Sequence, residues 1–365
     1  MSEIDEYLLP RENEHLVGHE FAEQQFIQAW SSRRLAHAWL IGGQRGIGKA
    51  TLAYRMARYA LSSAADNGPG LLPELEAEAD SLQMSSDQRV FKRIVSQSHN
   101  DFRAVEKPWT DAKKSKRKTA ITVNELREIG RFLRLTPGEG GWRVVIIDAA
   151  DDMNHNAANA VLKMLEEPPR QALIILISHN PARLLPTIRS RCRRLNLSPL
   201  PTKTVEDLLL RYQPGLSPSK ASSLAMLADG SIGRSLELLE AGGLDLFDQM
   251  IGVLGTLPKL DISLAHSLGD TAARGESFRT IADLLVWWLG RVISSEARKD
   301  MKNFTEVVPG EHAIAERLKD AAGLDQWVEV WEKIARLFDR ATAVHLDKKR
   351  VVLNALHTIE QRTTG

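Results

Sequence analysis

The chain has 365 residues, with 48 Lys or Arg against 47 Asp or Glu and a single cysteine. Such a length supports two or three domains with real cores, and the near-neutral balance removes any global electrostatic case for nucleic acid. The lone Cys192 excludes an intramolecular disulfide framework and a multi-cysteine zinc site. The start, Met1-Ser2-Glu3-Ile4-Asp5-Glu6, lacks the pattern of a signal peptide, and no run reaches the roughly 18 apolar residues of a spanning helix. A soluble, cytoplasmic protein without membrane contact is expected.

The first half alternates short apolar runs with helical patterns, which predicts a parallel sheet covered by helices. Ala38 to Ile41 reads as a buried strand, followed by a glycine loop and a helix from about Lys49 to Leu61. Residues 62–90 break the pattern: 62–70 is loop-like and 71–83 is acidic with some helical character. A second irregular piece, 107–118, carries a basic run of Lys113, Lys114, Lys116, Arg117 and Lys118. Both read as surface insertions. Val144 to Asp148 is a second buried strand and Leu173 to Ser178 a third. Between them, Asn154 to Glu167 has helical spacing and stops at Pro168-Pro169.

After Leu200 the strand signals disappear. Thr204 to Tyr212, Pro218 to Asp229 and Gly233 to Ala241 suit short helices, and Ile281 to Ser294, Gln326 to Val344 and Lys348 to Gln361 longer ones. The predicted fold class is therefore α/β followed by all-α. The expected domains are an α/β unit over 1–197, a small helical lid over 198–243 and a helical C-terminal domain over 244–365. Trp287 and Trp288 are consecutive on one helix and cannot face the same way, which suits packing better than base stacking.

Gly43, four residues, Gly48 and Lys49 have the spacing of a phosphate-binding loop between a strand and a helix. Glycines, Gly46 among them, let consecutive backbone N–H groups face an anion, and the helix N-terminus adds partial positive charge. Lys49 would meet the outer phosphates. The next position normally offers a hydroxyl to Mg²⁺, and here it is Ala50. Thr51 follows, but one helical residue turns a side chain by about 100°. Asp148 ends its strand where a carboxylate can hold the metal through water. The neighbouring position, which would carry the general base that polarises attacking water, is Ala149. Phosphate binding is retained in this reading and turnover is not.

Together these segments resemble the clamp-loader branch of the AAA+ ATPases. The resemblance is carried by Leu35 to Gly43 ahead of the loop, by Gly140 to Asp148, and by Asn156 to Pro169 with its Leu-Glu-Glu-Pro-Pro run. Leu185 to Cys192, ending in Ser190-Arg191-Cys192, carries it too. It implies an AAA+ α/β domain, a helical lid and a collar that joins a pentameric ring. In such a ring this chain would be a stationary, non-hydrolysing member of a DNA polymerase holoenzyme. Its expected partners are the gamma/tau motor subunits, a delta subunit and, through the complex, the sliding clamp and primed DNA. Many relatives carry a four-cysteine zinc module after the loop. Residues 62–98 here contain no cysteine, so no zinc is expected, and ATP or ADP would be held passively if at all.

The same resemblance makes Arg191 an arginine finger that reaches a neighbouring subunit's ATP, where a rigid planar cation stabilises charge developing on the transferred phosphate. The competing reading is a surface arginine in an ion pair. Ser190 would shape the turn beside it. Arg234 falls where the lid has its second sensor, with phosphate contact and a structural ion pair equally open. Ser178 falls at the first-sensor strand end, and Val17 to Glu20 resembles the adenine-side segment. Cys192 is most simply a small buried apolar residue. Two further functions stay open: a slow ATPase using Thr51 for metal and Asp151 or Asp152 for water, and a free-standing nucleic-acid-binding protein that uses the basic run.

Overall fold

Strands β1 (Ala38–Gly42), β3 (Arg143–Asp148) and β4 (Ala172–Ser178) are almost wholly apolar, because helices cover both faces of the sheet that they form. The computed structural model describes residues 9–65, 81–108, 118–139, 141–274, 277–344 and 346–364. It divides into two compact units, Met1–Leu200 and Pro201–Gly365.

In the first unit, α1 (Glu20–Ser31) precedes β1, and α2 (Lys49–Ala65) and α3 (Arg89–Val95) lead to strand β2 (Phe102–Glu106). Helix α4 (Val123–Arg134) leads to β3, α5 (His155–Glu166) to β4, and the short α6 (Pro186–Arg189) to β5 (Arg193–Asn196). All pairings are parallel, in the order β2-β3-β4-β1-β5. Successive strand residues point to opposite faces. Trp39, Ile41, Val144, Ile146, Leu173, Ile175 and Ile177 pack with α1, α2 and α3 on one face. Leu40, Val145, Ile147, Ile174 and Leu176 pack with α4, α5 and α6 on the other. Helix starts are capped: Thr122 and Glu125 form a capping box on α4, and the Asn154 side chain accepts from Ala157 N–H on α5.

The second unit has helices and connecting turns, with no strand among its described residues. It contains α7 (Thr202–Tyr212), α8 (Pro218–Leu227), α9 (Ile232–Glu240), α10 (Gly243–Leu254), α11 (Ile262–Ala273) and α12 (Ser277–Ala297). It closes with α13 (Glu311–Ala321), α14 (Leu324–Val344) and α15 (Lys348–Thr364). Leu209, Leu224 and Leu238 of α7 to α9 share one apolar cluster with Phe247, Ile281, Trp288, Ile334 and Leu356. The expected lid and collar, meeting at 243/244, thus share buried apolar residues within this unit. Trp288 is fully buried and donates its indole N–H to Glu311 at 3.2 Å, while the half-buried Trp287 stacks edge-on against Phe247. Among the described residues no helix is long and apolar enough to cross a membrane.

Helix α2 runs four residues past the predicted end at Leu61. Residues 81–83 are irregular, and the rest of the predicted acidic helical stretch, 71–80, lies outside the described residues. Of the basic run, only Lys118 is described; its N–H donates to Pro108 O at 2.7 Å, and the rest of the run lies outside the described residues. Ile175 is fully buried at the centre of β4. Ile175→Ala is expected to cost about 2–5 kcal/mol in urea unfolding, since neighbours on a two-sided sheet cannot collapse into the space.

Candidate functional site

The phosphate loop leaves β1 at the carboxyl edge of the sheet, where α/β domains of this kind place ligands. Gly43, Gly46 and Gly48 all have positive φ. A Cβ at Gly43 would lie 2.5 Å from Leu197 O, and one at Gly48 would lie 2.9 Å from Leu16 Cδ1. Only glycine fits those two turns. The loop is also held from below: the Nε2–H of buried His19 donates to Ile47 O at 2.6 Å. That bond requires the Nε2-protonated tautomer, and burial holds the imidazole below its ordinary pKa.

Lys49 is 3 % exposed and folds its ammonium into the loop, donating to Gly43 O at 2.6 Å and to Gln44 O at 2.5 Å. Burial pushes its pKa down to about 8, against the opposing charges of Asp148 and Asp151. Ala50 is half-buried at the margin of the first-face core, and Thr51 is buried at 7 %. The loop and Lys49 thus have the donors to hold a phosphate, while position 50 has no oxygen for a metal.

Asp148 ends β3, and Ala149 beside it is buried at 2 %. The carboxylates that could replace the missing base are engaged elsewhere. Asp151 Oδ1 accepts from the Ser178 hydroxyl and from Asn180 N–H, both at 3.0 Å, and its Oδ2 accepts from His179 N–H at 2.7 Å. It therefore latches the end of β4 with three hydrogen bonds. The fully buried Ser178 spends its hydroxyl on that latch. Asp152 pairs with Lys107 at 3.1 Å.

Ser190 and Arg191 lie between α6 and β5. The Ser190 hydroxyl donates to Thr187 O at 3.2 Å, closing the turn. Arg191 makes the ion pair named above as its competing reading: Nη2 lies 2.9 Å from Glu166 Oε1, and Nη1 donates to Thr187 O at 3.0 Å. Its side chain is still 35 % exposed, and a guanidinium carries five N–H donors. Cys192 is buried in the second-face core, where burial pushes its thiol up to about 12. Register fixes the position of Arg191 relative to the loop. Trp39 pairs with Arg193 and Gly42 with Asn196, in parallel. Arg191 therefore precedes the sheet at its amino edge, while the loop follows it at the carboxyl edge. Three registers alone separate them by about 10 Å.

Arg234 belongs to the second unit, near the start of α9, whose cap is the Ser231 hydroxyl accepting from its backbone N–H at 3.1 Å. Burial holds it below its ordinary pKa, opposed by the charges of Asp283, Asp229 and Glu237. Sequence reasoning missed the latch at Asp151, the His19 anchor and the role of Glu166. Each depends on residues far apart in the chain, and spacing carries no signal for them.

A glycine loop between a parallel strand and a helix, with an acidic strand end beside it, defines a phosphate-loop nucleotide-binding domain, here without the hydroxyl and carboxylate of the hydrolytic members. The chain belongs to the DNA polymerase III, delta subunit family, whose model matches residues 18–201, close to the whole of the first unit. Over 197 residues it is 34 % identical to the DNA polymerase III subunit delta' of Pseudomonas aeruginosa, covering 54 % of this chain and 53 % of that protein. The delta' subunit of Bacillus subtilis is 32 % identical over 205 residues, covering 56 % and 54 %. That of Escherichia coli is 29 % identical over 217 residues, covering 60 % and 58 %. The chain thus spans little more than half the length of these relatives.

Asp151→Ala is expected to cost about 2–3 kcal/mol in urea unfolding, because three donors at the end of β4 lose a charged acceptor. His19 gives a pH dependence. Its folded pKa lies below the unfolded value of about 6.5, so its stabilising share is present above that pH and is lost as pH falls through the folded pKa. His19→Gln should flatten the loss of stability below pH 6.5 by up to about 1.4 kcal/mol per pH unit. Urea midpoints across pH 7 to 5 measure it. His99, also held low by burial, stays in the variant as an internal comparison.

Proposed function

We propose that this chain works as the non-hydrolysing delta-prime subunit of a DNA polymerase III clamp loader. It is a scaffold that supplies Arg191 in trans to the ATP site of a neighbouring subunit. Its partners in this reading are the gamma/tau motor and delta subunits, with the sliding clamp and primed DNA engaged through the complex. The phosphate loop holds ATP or ADP passively and turns nothing over.

The observation that carries the proposal is the opposition of the two edges. Arg191 lies at the amino edge of the sheet and the chain's own phosphate loop at the carboxyl edge, so an arginine acting on phosphate from this position acts on another subunit's nucleotide. The loss of hydrolysis is supported independently. Ala50 offers no metal oxygen, Ala149 no base, and Asp151 is committed to the end of β4. The slow-ATPase reading needs that latch broken before Asp151 could meet water.

The purified chain should show no magnesium-dependent ATP turnover above a Lys49→Ala background. In a complex reconstituted with motor, delta, clamp and primed DNA, Arg191→Ala should lower DNA-stimulated ATP hydrolysis with assembly intact by mass measurement. Turnover by the isolated chain that disappears in Lys49→Ala would replace this proposal with the enzyme reading. An Arg191→Ala complex with unchanged hydrolysis would remove the finger.

A further inference from the structure

We propose that Glu166 is the positioning residue for Arg191, holding its guanidinium in the orientation in which it meets the neighbour's phosphate. The inference rests on the trans-acting role proposed above for Arg191.

Glu166 is the last residue of α5, and that end of the helix is held rigidly. Leu165, 2 % exposed, packs in the second-face core with Ile188 and Cys192, which flank Ser190 and Arg191. The Leu165 carbonyl is bonded to the His37 imidazole at 3.2 Å, tying the helix end to the residue before β1. The carboxylate therefore projects from a fixed point, and the turn that carries Arg191 is packed on the same core.

Arg191 itself is on a turn, where a long side chain samples many rotamers. Two contacts remove that freedom: Glu166 Oε1 at 2.9 Å from Nη2, and Thr187 O at 3.0 Å from Nη1. Both come from the chain itself, so the orientation exists before any partner arrives. They use two of the five N–H donors, and the side chain keeps 35 % exposure, which leaves donors for an incoming anion. Fixing the geometry in advance reduces the ordering left to the reaction step. The pair is half-exposed, so it contributes little to stability, and its role is the orientation of the guanidinium.

The test uses the complex of this chain with motor, delta, clamp and primed DNA. It compares Glu166→Ala, Glu166→Gln, Arg191→Ala and the double variant Glu166→Ala with Arg191→Ala. Glu166→Ala is expected to lose about half or more of the kcat that Arg191→Ala loses, with KM for ATP unchanged. Glu166→Gln, which keeps an acceptor oxygen, should recover part of that loss. The double variant should match Arg191→Ala alone, because a residue that acts through Arg191 has nothing left to act on. Unchanged or raised kcat in Glu166→Ala, a raised KM, or additive losses in the double variant would overturn the inference and leave the role of Arg191 standing. An Arg191→Ala complex with full activity would overturn both. Mass measurement and urea unfolding of each variant separate these outcomes from failed assembly or folding.

Discussion

Burial of one sheet on both faces is the constraint from which the rest of the first unit follows. With α1 to α3 on one side and α4 to α6 on the other, β1, β3 and β4 must be apolar at almost every position. They must also run parallel, since each crossover returns the chain to the same edge. Everything that follows a strand therefore gathers at one end: the glycine loop after β1, Asp148 after β3, and Ser178 with its latch after β4. Everything that precedes a strand gathers at the other, including Glu166, Ser190 and Arg191.

At the carboxyl edge the side chains around the glycine loop do structural work. Lys49 bonds to the carbonyls of its own loop, His19 anchors that loop at Ile47, and Leu16 closes against Gly48. The Asp151 carboxylate, two residues beyond Ala149, binds three donors at the end of β4. Each of these hydrogen bonds is of modest net value, but each also prevents a polar group from being left unpaired, which is the larger energetic effect. The carboxyl edge keeps its shape because these side chains stabilise the fold.

The central strands, α2, α5 and most of the later helices were legible from apolar runs and helical spacing. So were the glycine loop, Ala50 after it and Ala149 after β3. Strand β5 was not, because an edge strand buried on few sides can consist of Arg193, Arg194, Leu195 and Asn196, with only Leu195 buried. Strand β2 was hidden for the same reason by Arg103 and Glu106. Helix α4 carried a readable signal, the capping box of Thr122 and Glu125 ahead of Leu126, Ile129 and Phe132. The ion pair of Arg191 was one of two readings available from sequence, but its partner was not. Glu166 stands 25 positions away, and only the packing of α5 against α6 brings the two together.

A chain with a phosphate loop at one edge and a projecting arginine at the other has a direction. On the proposed function, subunits with such edges would join head to tail, a heterologous contact that closes into a ring or climbs as a helix according to the rotation at each joint. On the proposed function this member donates at one edge and accepts no working partner at the other. A series of such joints that reaches it has a defined last position. The asymmetry would then be written into the assembly by the chemistry of one subunit, with no need for a separate stop signal.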